Sequence, residues 1–541
     1  MDIAQLRTTG WAIIETIRNY GVDTVFGIPG THNLEFYRPL GPLGIRAVTT
    51  RHEQSAGYGA DGWSLQSSLP GVVITTSGPG LLNALSSAGT AFCESRPMLI
   101  LAPGPDRGTS FEDAGTLHET KDQLGAAAAV VERARRVDSA QESVEAVHEA
   151  FTLFATGRPR PVYIEVPLDL LQEEIDISQL TTVPRVPSRG GELPLKELTE
   201  ARDLLAEAEH PVVLAGGGAR HASAELKQLA ESLQIPVVTT LNGKGAFDEH
   251  HPLSLRSNLR SAAVREYVRT ADVLLVAGSK LGESELWVPK LDATGTVIRV
   301  DILESQIEKN QKSDVAIVAD SRHALAKLAE DQQQRPRDTM LESTVANLLG
   351  ASREESLNAS PFDTRLSEHL TAVLPENAIV STDSSQIGYM GLLSSLAVSQ
   401  PNSTPYMGTY ATLGYGLPAA LGARIAAPHR PTFAVVGDGA LMFSMQELIT
   451  VVEQQADVTV IVVDNGGYSE IKQNELDAGI APIGVDLTQP EWVKLADAFG
   501  GTGHRVHTFV QLKETVEIAL ASGGLQLIHI PVAEYSKEFA G

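Results

Sequence analysis

Residues 437–468 constrain the fold of this 541-residue chain more than any other segment. An apolar run leads into Gly437-Asp438-Gly439, a helix-like stretch and a second apolar run follow, and the segment ends in Asp464-Asn465-Gly466-Gly467-Tyr468. Continuous apolar runs that each enter a glycine turn are typical of parallel strands covered on both faces. Because the carboxyl ends of parallel strands meet at one edge of a sheet, we expect Asp438 and Asn465 to lie side by side.

The residue types in these two turns predict a cation held beside a phosphate. Asp438 and Asn465 offer oxygen ligands suited to a hard divalent ion such as magnesium. The glycines let the backbone approach a phosphate closely and offer N–H groups to it. The residues alone leave one alternative open, which is an ordinary glycine turn in a doubly wound sheet.

The same strand–turn–helix–strand pattern recurs elsewhere in the chain. Near the N-terminus, the apolar run 71–76 enters the glycine turn 77–80, and a second apolar run, 97–101, follows a helix-like stretch. This weak internal repeat places related α/β domains at the two ends of the chain. A third α/β unit lies between them, where the apolar run 211–215 enters three glycines at 216–218.

The fold class that follows is α/β, with three doubly wound parallel-sheet domains. Residues 181–194 are rich in Pro, Gly and Arg and lack periodicity, and residues 331–338 form a polar, Gln-rich break. We therefore predict an N-terminal domain over 1–180, a middle domain over 195–332 and a C-terminal domain over 360–541.

The charge and hydropathy of the chain exclude several classes of partner. The formal net charge is −25 and no basic run is present, which disfavours binding to nucleic acid or to an anionic membrane. No apolar segment approaches the length of a membrane span, and the N-terminus lacks a signal pattern. We expect a cytoplasmic protein that acts on a small molecule.

The interval from Gly437-Asp438-Gly439 to Asn465 resembles the diphosphate motif of thiamine-diphosphate enzymes of the acetolactate synthase and pyruvate decarboxylase type. A second segment, 49–56, resembles the RHEQ segment of that family. The resemblance implies that Asp438, Asn465 and the carbonyl of Gly467 hold Mg²⁺, and that Glu53 touches the aminopyrimidine ring. Taken alone, Glu53 also fits a helix N-terminus with a favourable carboxylate in its first turn.

The resemblance assigns further contacts to the cofactor. Residues 408–422 are similar to a family segment in which an apolar residue, here Leu413, wedges between the two cofactor rings, and the carbonyl of Ala411 would accept from the 4′-amino group. A glycine-rich loop that opens a small-residue helix explains this segment equally well. The remaining residues assigned to cofactor binding are Ser384, Ser385, Gln386, Gly437, Gly439, Ala440 and Tyr468.

Two histidines are candidates for acid–base catalysis or substrate contact. His32 follows a predicted strand, 24–26, and should reach the substrate side of the pocket. His118 stands where the FQET segment of acetolactate synthases has Gln. Each can equally be a polar loop histidine.

The glycines at 216–218 could cradle a dinucleotide phosphate, with Asp301 accepting ribose hydroxyls. Some members of the family bind FAD in this domain. Residues 278–285 depart from the FAD-type pattern, so FAD is possible but a structural middle domain is favoured.

The resemblance implies non-oxidative decarboxylation of a 2-oxo acid to an aldehyde and CO₂. Segments 27–38 and 278–287 are most similar to the 5-guanidino-2-oxopentanoate decarboxylase branch, which suggests that substrate. The alternatives are a carboligase like acetolactate synthase, which joins two 2-oxo acids, and a non-catalytic cofactor-binding or scaffold protein. A homodimer or homotetramer is implied, with the active site between subunits.

Overall fold

The computed structural model describes residues 7–185 and 193–540, and it contains three parallel sheets. The N-terminal sheet has six strands in the order β2-β1-β3-β4-β6-β5. Its strands are β1 (Thr24–Gly27), β2 (Arg46–Thr49), β3 (Gly71–Ile74), β4 (Met98–Gly104), β5 (Arg133–Arg136) and β6 (Val162–Pro167). Its helices are Thr9–Asn19, Leu34–Tyr37, Glu53–Ser67, Pro79–Glu94, Gln123–Ala128, Ala140–Thr156 and Leu168–Leu171, with a 3-10 turn at Ile177–Gln179.

The middle sheet has five parallel strands in the order β11-β10-β9-β7-β8. Its strands are β7 (Pro211–Ala215), β8 (Val237–Thr239), β9 (Val273–Ala277), β10 (Thr296–Asp301) and β11 (Val315–Val318). Its helices are Leu195–Glu207, Ser223–Leu233, Ala262–Arg269, Glu283–Leu286, Glu304–Ile307 and Ser321–Ala329, with 3-10 turns at Gly217–Ala219 and Leu241–Gly243. The helix Thr339–Ala359 then leads toward the third sheet.

The C-terminal sheet has five parallel strands in the order β12-β13-β14-β16-β15. Its strands are β12 (Ile379–Thr382), β13 (Thr432–Gly437), β14 (Val458–Asp464), β15 (Thr502–Arg505) and β16 (Leu525–Pro531). Its helices are Pro361–Val373, Leu393–Ser395, Gly416–Ala426, Asp438–Leu441, Glu447–Glu453, Ser469–Asp477, Trp492–Ala498, Phe509–Ser522 and Val532–Tyr535, with a π-helix at Ile387–Leu392 and a 3-10 helix at Ser536–Ala540.

The predicted fold class is confirmed, because all three sheets are parallel and helices lie between their strands. The predicted linker 181–194 falls partly on residues 186–192, which lie outside the described residues. The polar break 331–338 separates the helices Ser321–Ala329 and Thr339–Ala359. None of the helices in the described ranges has the length and apolar character needed to cross a membrane.

Some strands extend beyond the sequence prediction. The run 97–101 predicted one strand, but β4 continues to Gly104. Its last residues, Ala102 to Gly104, are buried and pair with Glu165 to Pro167 of β6, so the neighbouring strand prolongs it. The apolar run ends earlier because Pro103 and Gly104 are residue types that sequence patterns assign to turns.

The N-terminal and C-terminal domains pack together through two helices that approach at their backbones. A Cβ added to Gly62 would lie 2.0 Å from the carbonyl oxygen of Ala419. A Cβ added to Gly422 would lie 1.9 Å from the carbonyl oxygen of Gly59. The helices Glu53–Ser67 and Gly416–Ala426 therefore meet where side chains are absent, and one hydrophobic core runs through both domains.

Candidate active site

The structure brings Asp438 and Asn465 to the same edge of the C-terminal sheet. Gly437 at the end of β13 pairs with Val463 of β14, so the residues that follow each strand emerge together. Asp438 is almost fully buried, and its Oδ2 has no hydrogen-bond partner among the described residues. Burial, together with the nearby Asp464 carboxylate, raises the pKa of Asp438 to about 6. A buried carboxylate oxygen without a partner indicates that a ligand is to be bound there.

Two further oxygen-bearing groups, the Asn465 amide and the Gly467 carbonyl, converge beside this carboxylate. One end of the Asn465 amide lies 3.2 Å from Asp438 Oδ1 and 3.0 Å from the carbonyl oxygen of Gly467. Adjacent oxygens in an octahedron with metal–oxygen bonds of 2.0–2.1 Å are separated by about 2.9 Å. With the amide oxygen at that end, both of these separations are close to the distance between neighbouring oxygens around magnesium.

Glycine is required at position 467 to form this arrangement. Its φ is 142°, and an added Cβ would lie 2.1 Å from the carbonyl oxygen of Val485. Asp438 is the one carboxylate among the three predicted ligands, and the described residues include no group of three or more His, Cys, Asp or Glu that could hold a metal. Magnesium held by one carboxylate characteristically shares its coordination with the phosphates of a ligand.

Residues 384–386 follow β12 and form the serine turn. This turn faces the glycine turn 437–439. Ser385 Oγ accepts a hydrogen bond of 3.0 Å from the N–H of Gly437. Gly439 lies against the ring of Tyr468, where an added Cβ would be 2.8 Å from a ring carbon. Ala440 is buried behind it. These residues leave a narrow cradle in which only small groups approach the backbone.

Asp383 is a residue that the sequence interpretation missed. Its buried carboxylate accepts from the N–H groups of Ser384 (2.9 Å), Gly414 (3.2 Å) and Gly416 (2.8 Å), so it ties the serine turn to the loop that contains Leu413. Burial raises the pKa of Asp383 to about 6. Its position directly after an apolar strand and before Ser384 was the available signal.

The loop that carries Ala411 and Leu413 is held in an unusual conformation. Ala411 has φ of 54°, in the left-handed region that residues other than glycine rarely adopt, and such strain clusters at functional sites. Leu413 is half-buried, and its carbonyl accepts a 3.2 Å hydrogen bond from Gln54 Nε2. The N-terminal domain therefore contacts the loop directly.

Glu53 lies in the first turn of its helix and is buried. Its Oε2 accepts a 3.0 Å hydrogen bond from Asn83 Nδ2, and Gly80 leaves room beside Oε1. Burial, followed by the Glu53 charge, raises the pKa of Tyr37. Glu53 lies in the N-terminal domain and Asp438 in the C-terminal domain, so each domain supplies one part of the predicted site.

His32 and His118 are brought together, although they are distant in sequence. Their ring centroids are 5.1 Å apart at an interplanar angle of 70°. Ser77 Oγ lies 2.6 Å from His32 Nδ1 and 3.3 Å from His118 Nδ1. Burial, followed by the proximity of His118, lowers the pKa of His32. Gly78 makes room for this cluster, because an added Cβ would lie 2.5 Å from the carbonyl oxygen of His118.

The glycines of the middle domain pack mainly against backbone. Gly218 N–H donates to the carbonyl of Gly278 at 3.0 Å, and a Cβ at Gly216 would lie 2.2 Å from that same oxygen. A cavity of about 570 Å³ borders this turn and reaches Asp301, whose Oδ1 accepts from the N–H of Leu303. Close packing thus explains these glycines, and FAD binding stays an untested expectation.

The three parallel sheets, with Asp438 and Asn465 at one sheet edge, define a cofactor-dependent α/β enzyme. Comparison with protein families identifies the class of this enzyme. Family profiles of thiamine pyrophosphate enzymes match the N-terminal TPP-binding domain at residues 7–126, the central domain at 198–328 and the C-terminal TPP-binding domain at 386–530. The chain belongs to the thiamine pyrophosphate enzyme family, and it is a thiamine-diphosphate-dependent enzyme.

Curated relatives match along almost the whole chain. A probable 2-ketoarginine decarboxylase of Pseudomonas aeruginosa is 35% identical over 526 residues, covering 97% of this chain and 94% of that protein. A probable acetolactate synthase large subunit of Methanocaldococcus jannaschii is 32% identical over 553 residues, covering 96% and 91%. Oxalyl-CoA decarboxylase of Escherichia coli is 28% identical over 555 residues, covering 96% and 94%.

Proposed function

We propose that the protein decarboxylates a 2-oxo acid without oxidation, releasing CO₂ and an aldehyde, with thiamine diphosphate and Mg²⁺ as cofactors. The observation that carries the proposal is the convergence of Asp438, Asn465 and the Gly467 carbonyl beside an unpartnered buried carboxylate oxygen. This donor set suits a hard cation that also binds phosphate oxygens.

The residues around this cation site suit a diphosphate. Asp438, Asn465 and the carbonyl of Gly467 would hold Mg²⁺, and the Ser385 hydroxyl, whose oxygen accepts from the Gly437 N–H, would donate its proton to a phosphate oxygen. Thiamine diphosphate, when bound, supplies the electron sink that lets a carboxylate leave a 2-oxo acid as CO₂. Leu413, held by Asp383 through Gly414, would fix the conformation of that cofactor.

Glu53 is suited to form a hydrogen bond with a ring nitrogen in a poorly solvated environment. It is buried in the first turn of a helix, and Asn83 fixes the orientation of its carboxylate. In such surroundings a hydrogen bond between the carboxyl group and a ring nitrogen is stronger than in water. We assign to Glu53 the exchange of a proton with the aminopyrimidine ring.

The His32–Ser77–His118 cluster favours release of an aldehyde. Aldehyde formation requires a proton at the carbon that has lost CO₂, so a proton donor must be near. The Ser77 hydroxyl contacts both imidazoles and can pass a proton between them. We assign delivery of this proton to the cluster, with His118 and His32 as its two titratable members.

A second copy of the chain is the partner that the proposed function implies. Glu53 and Asp438 make their described hydrogen bonds within separate domains of one chain. We propose a homodimer, or a pair of dimers, in which the N-terminal domain of one subunit faces the C-terminal domain of the other. Sedimentation of the cofactor-loaded protein should give a dimer or a tetramer.

The proposed substrate is 5-guanidino-2-oxopentanoate, and the 35% identity to a probable 2-ketoarginine decarboxylase supports this choice. The second candidate is a carboligase that joins two 2-oxo acids, supported by the 32% identity to a probable acetolactate synthase. The complete set of proposed cation ligands, Asp438, Asn465 and the Gly467 carbonyl, disfavours a non-catalytic role.

Product analysis distinguishes these functions. Purified protein loaded with thiamine diphosphate and Mg²⁺ is supplied separately with pyruvate and with 5-guanidino-2-oxopentanoate, and CO₂, aldehyde and acyloin are measured. Aldehyde and CO₂ in equal amounts from the guanidino acid support the proposal. Acetolactate without aldehyde would establish the carboligase, and no CO₂ from either acid would leave only a binding role.

A further inference from the structure

Glu470 places a carboxylate between the serine turn, 384–386, and the glycine turn that ends in Tyr468. It follows Tyr468 by two residues, at the start of the helix Ser469–Asp477. Its Oε2 accepts hydrogen bonds from Gln386 Nε2 at 3.0 Å and from the Tyr389 hydroxyl at 3.3 Å. Gln386 directly follows Ser385, so this carboxylate is anchored to both the glycine turn and the serine turn.

The hydrogen-bond donors that hold Glu470 are neutral. Both donate to Oε2, and in the described ranges Glu470 forms no ion pair with Lys, Arg or His. The side chain is half-buried rather than freely solvated. A positioned, half-buried carboxylate without a cationic partner is suited to binding a cation.

Aromatic side chains border the same position. The rings of Tyr389 and Trp287 meet edge to face with centroids 6.5 Å apart, and Trp287 is 49% exposed. The Arg260 guanidinium lies over the Trp287 ring, 4.5 Å from its centroid, and therefore occupies one face of that ring. The aromatic surface suits the methylene groups of a substrate tail, while Glu470 is left as the acceptor for a charged end group.

Building on the proposed decarboxylase function, we propose that Glu470 is a specificity-determining residue that binds the cationic end group of the substrate. The substrates it selects are 2-oxo acids with a guanidinium or ammonium tail. A guanidinium can donate two parallel hydrogen bonds to one carboxylate, whereas a neutral alkyl tail gains nothing from it.

The test compares Glu470→Gln with the unchanged protein on two substrates, 5-guanidino-2-oxopentanoate and the neutral 2-oxohexanoate. A charge-assisted hydrogen bond is lost, so KM for the guanidino acid should rise about 10- to 100-fold. KM and kcat for 2-oxohexanoate should stay within about threefold, because Gln preserves the shape of the side chain. Calorimetry with the unreactive 5-guanidinopentanoate should show a matching loss of affinity.

Two control variants separate the role of the charge from damage to the fold. Glu475→Gln removes a carboxylate on the same helix that accepts from the N–H of Ile483, and it should leave both substrates unaffected. Glu470→Asp keeps the charge and should recover part of the preference for the guanidino acid.

The possible failures are distinguishable. Equal losses on both substrates in Glu470→Gln would overturn the inference and make Glu470 a catalytic or positioning residue. Unchanged kinetics on both substrates, or a wild-type protein that prefers 2-oxohexanoate, would also overturn it while leaving the decarboxylase function intact. A wild-type protein that releases CO₂ from neither acid would refute the proposed function and this inference together.

Discussion

Replacing Gly62 by alanine tests the backbone contact that joins the N-terminal and C-terminal domains. The new Cβ would lie 2.0 Å from the Ala419 carbonyl oxygen, 2.7 Å from its carbonyl carbon and 2.8 Å from its Cα. All three atoms are backbone, so no side chain can rotate away. The two helices must separate by about 1 Å before the closest contact reaches 3.0 Å, below which real Cβ contacts are essentially never found.

We expect this separation to reduce both stability and turnover. Overpacking of this kind costs about 1–3 kcal/mol in free energy of unfolding, which lowers Tm by roughly 2 to 12 °C for domains of this size. One of the helices begins at Glu53, and the other follows the loop that contains Leu413. A displacement of about 1 Å at a catalytic group can reduce kcat about 100-fold.

Differential scanning fluorimetry and CO₂ release measure the two effects. The matched control is Gly350→Ala, because Gly350 lies in the helix Thr339–Ala359 with no atom within 4 Å of an added Cβ. That control should be neutral or stabilising by up to about 1 kcal/mol. If Gly62→Ala retained both the wild-type Tm and the wild-type kcat, the helices could not be packed at backbone distance.

Three further variants test the candidate site. Glu53→Gln should retain thiamine diphosphate, measured by fluorescence quenching, but lose at least about 100-fold in kcat, and unchanged turnover would contradict its role in proton exchange. Asn465→Ala removes one of three oxygen ligands, so the Mg²⁺ concentration for half-maximal activity should rise at least about tenfold, and an unchanged Mg²⁺ titration would remove it from the cation site. His118→Asn should move the basic limb of the kcat profile to higher pH, because the cluster acts as a proton donor and must be protonated. The nearby His118 lowers the pKa of His32, so its removal lets His32 hold its proton to higher pH, and an unshifted profile would show that the two rings do not interact.

The architecture could be predicted because the apolar pattern of each strand agrees with the parallel sheet that the strands form. The run that forms β14 is apolar except for Thr459 and Asp464, it is buried along almost its whole length, and a glycine turn follows it. Strand ends were less predictable, as the extension of β4 to Gly104 shows, because pairing with β6 prolongs it through residues that otherwise favour a turn.

The candidate site was predictable where its residues directly follow strands that the sequence identifies. Asp438 and Asn465 each follow a recognisable strand, so strand order alone predicted their proximity. The contact between His32 and His118 arises from tertiary packing around Ser77, which no sequence spacing encodes. Asp383 was missed because its partners are backbone N–H groups about thirty residues away, and backbone groups leave no trace in side-chain patterns.

The amide of Asn465 can take two orientations, and these differ in what they offer to the proposed divalent ion. The end that faces Asp438 Oδ1 and the Gly467 carbonyl can carry either oxygen or nitrogen. With nitrogen there, two N–H groups satisfy both oxygens at 3.2 and 3.0 Å, and Ser469 Oγ can donate to the amide oxygen at 3.1 Å. Coordination of the proposed divalent ion by the amide oxygen requires the opposite orientation, so binding would exchange two N–H donors for an acceptor through a half-turn of this side chain. We expect the Asn465 side-chain NMR signals to change when Mg²⁺ and thiamine diphosphate are added, and unchanged signals would remove Asn465 from the ligand set.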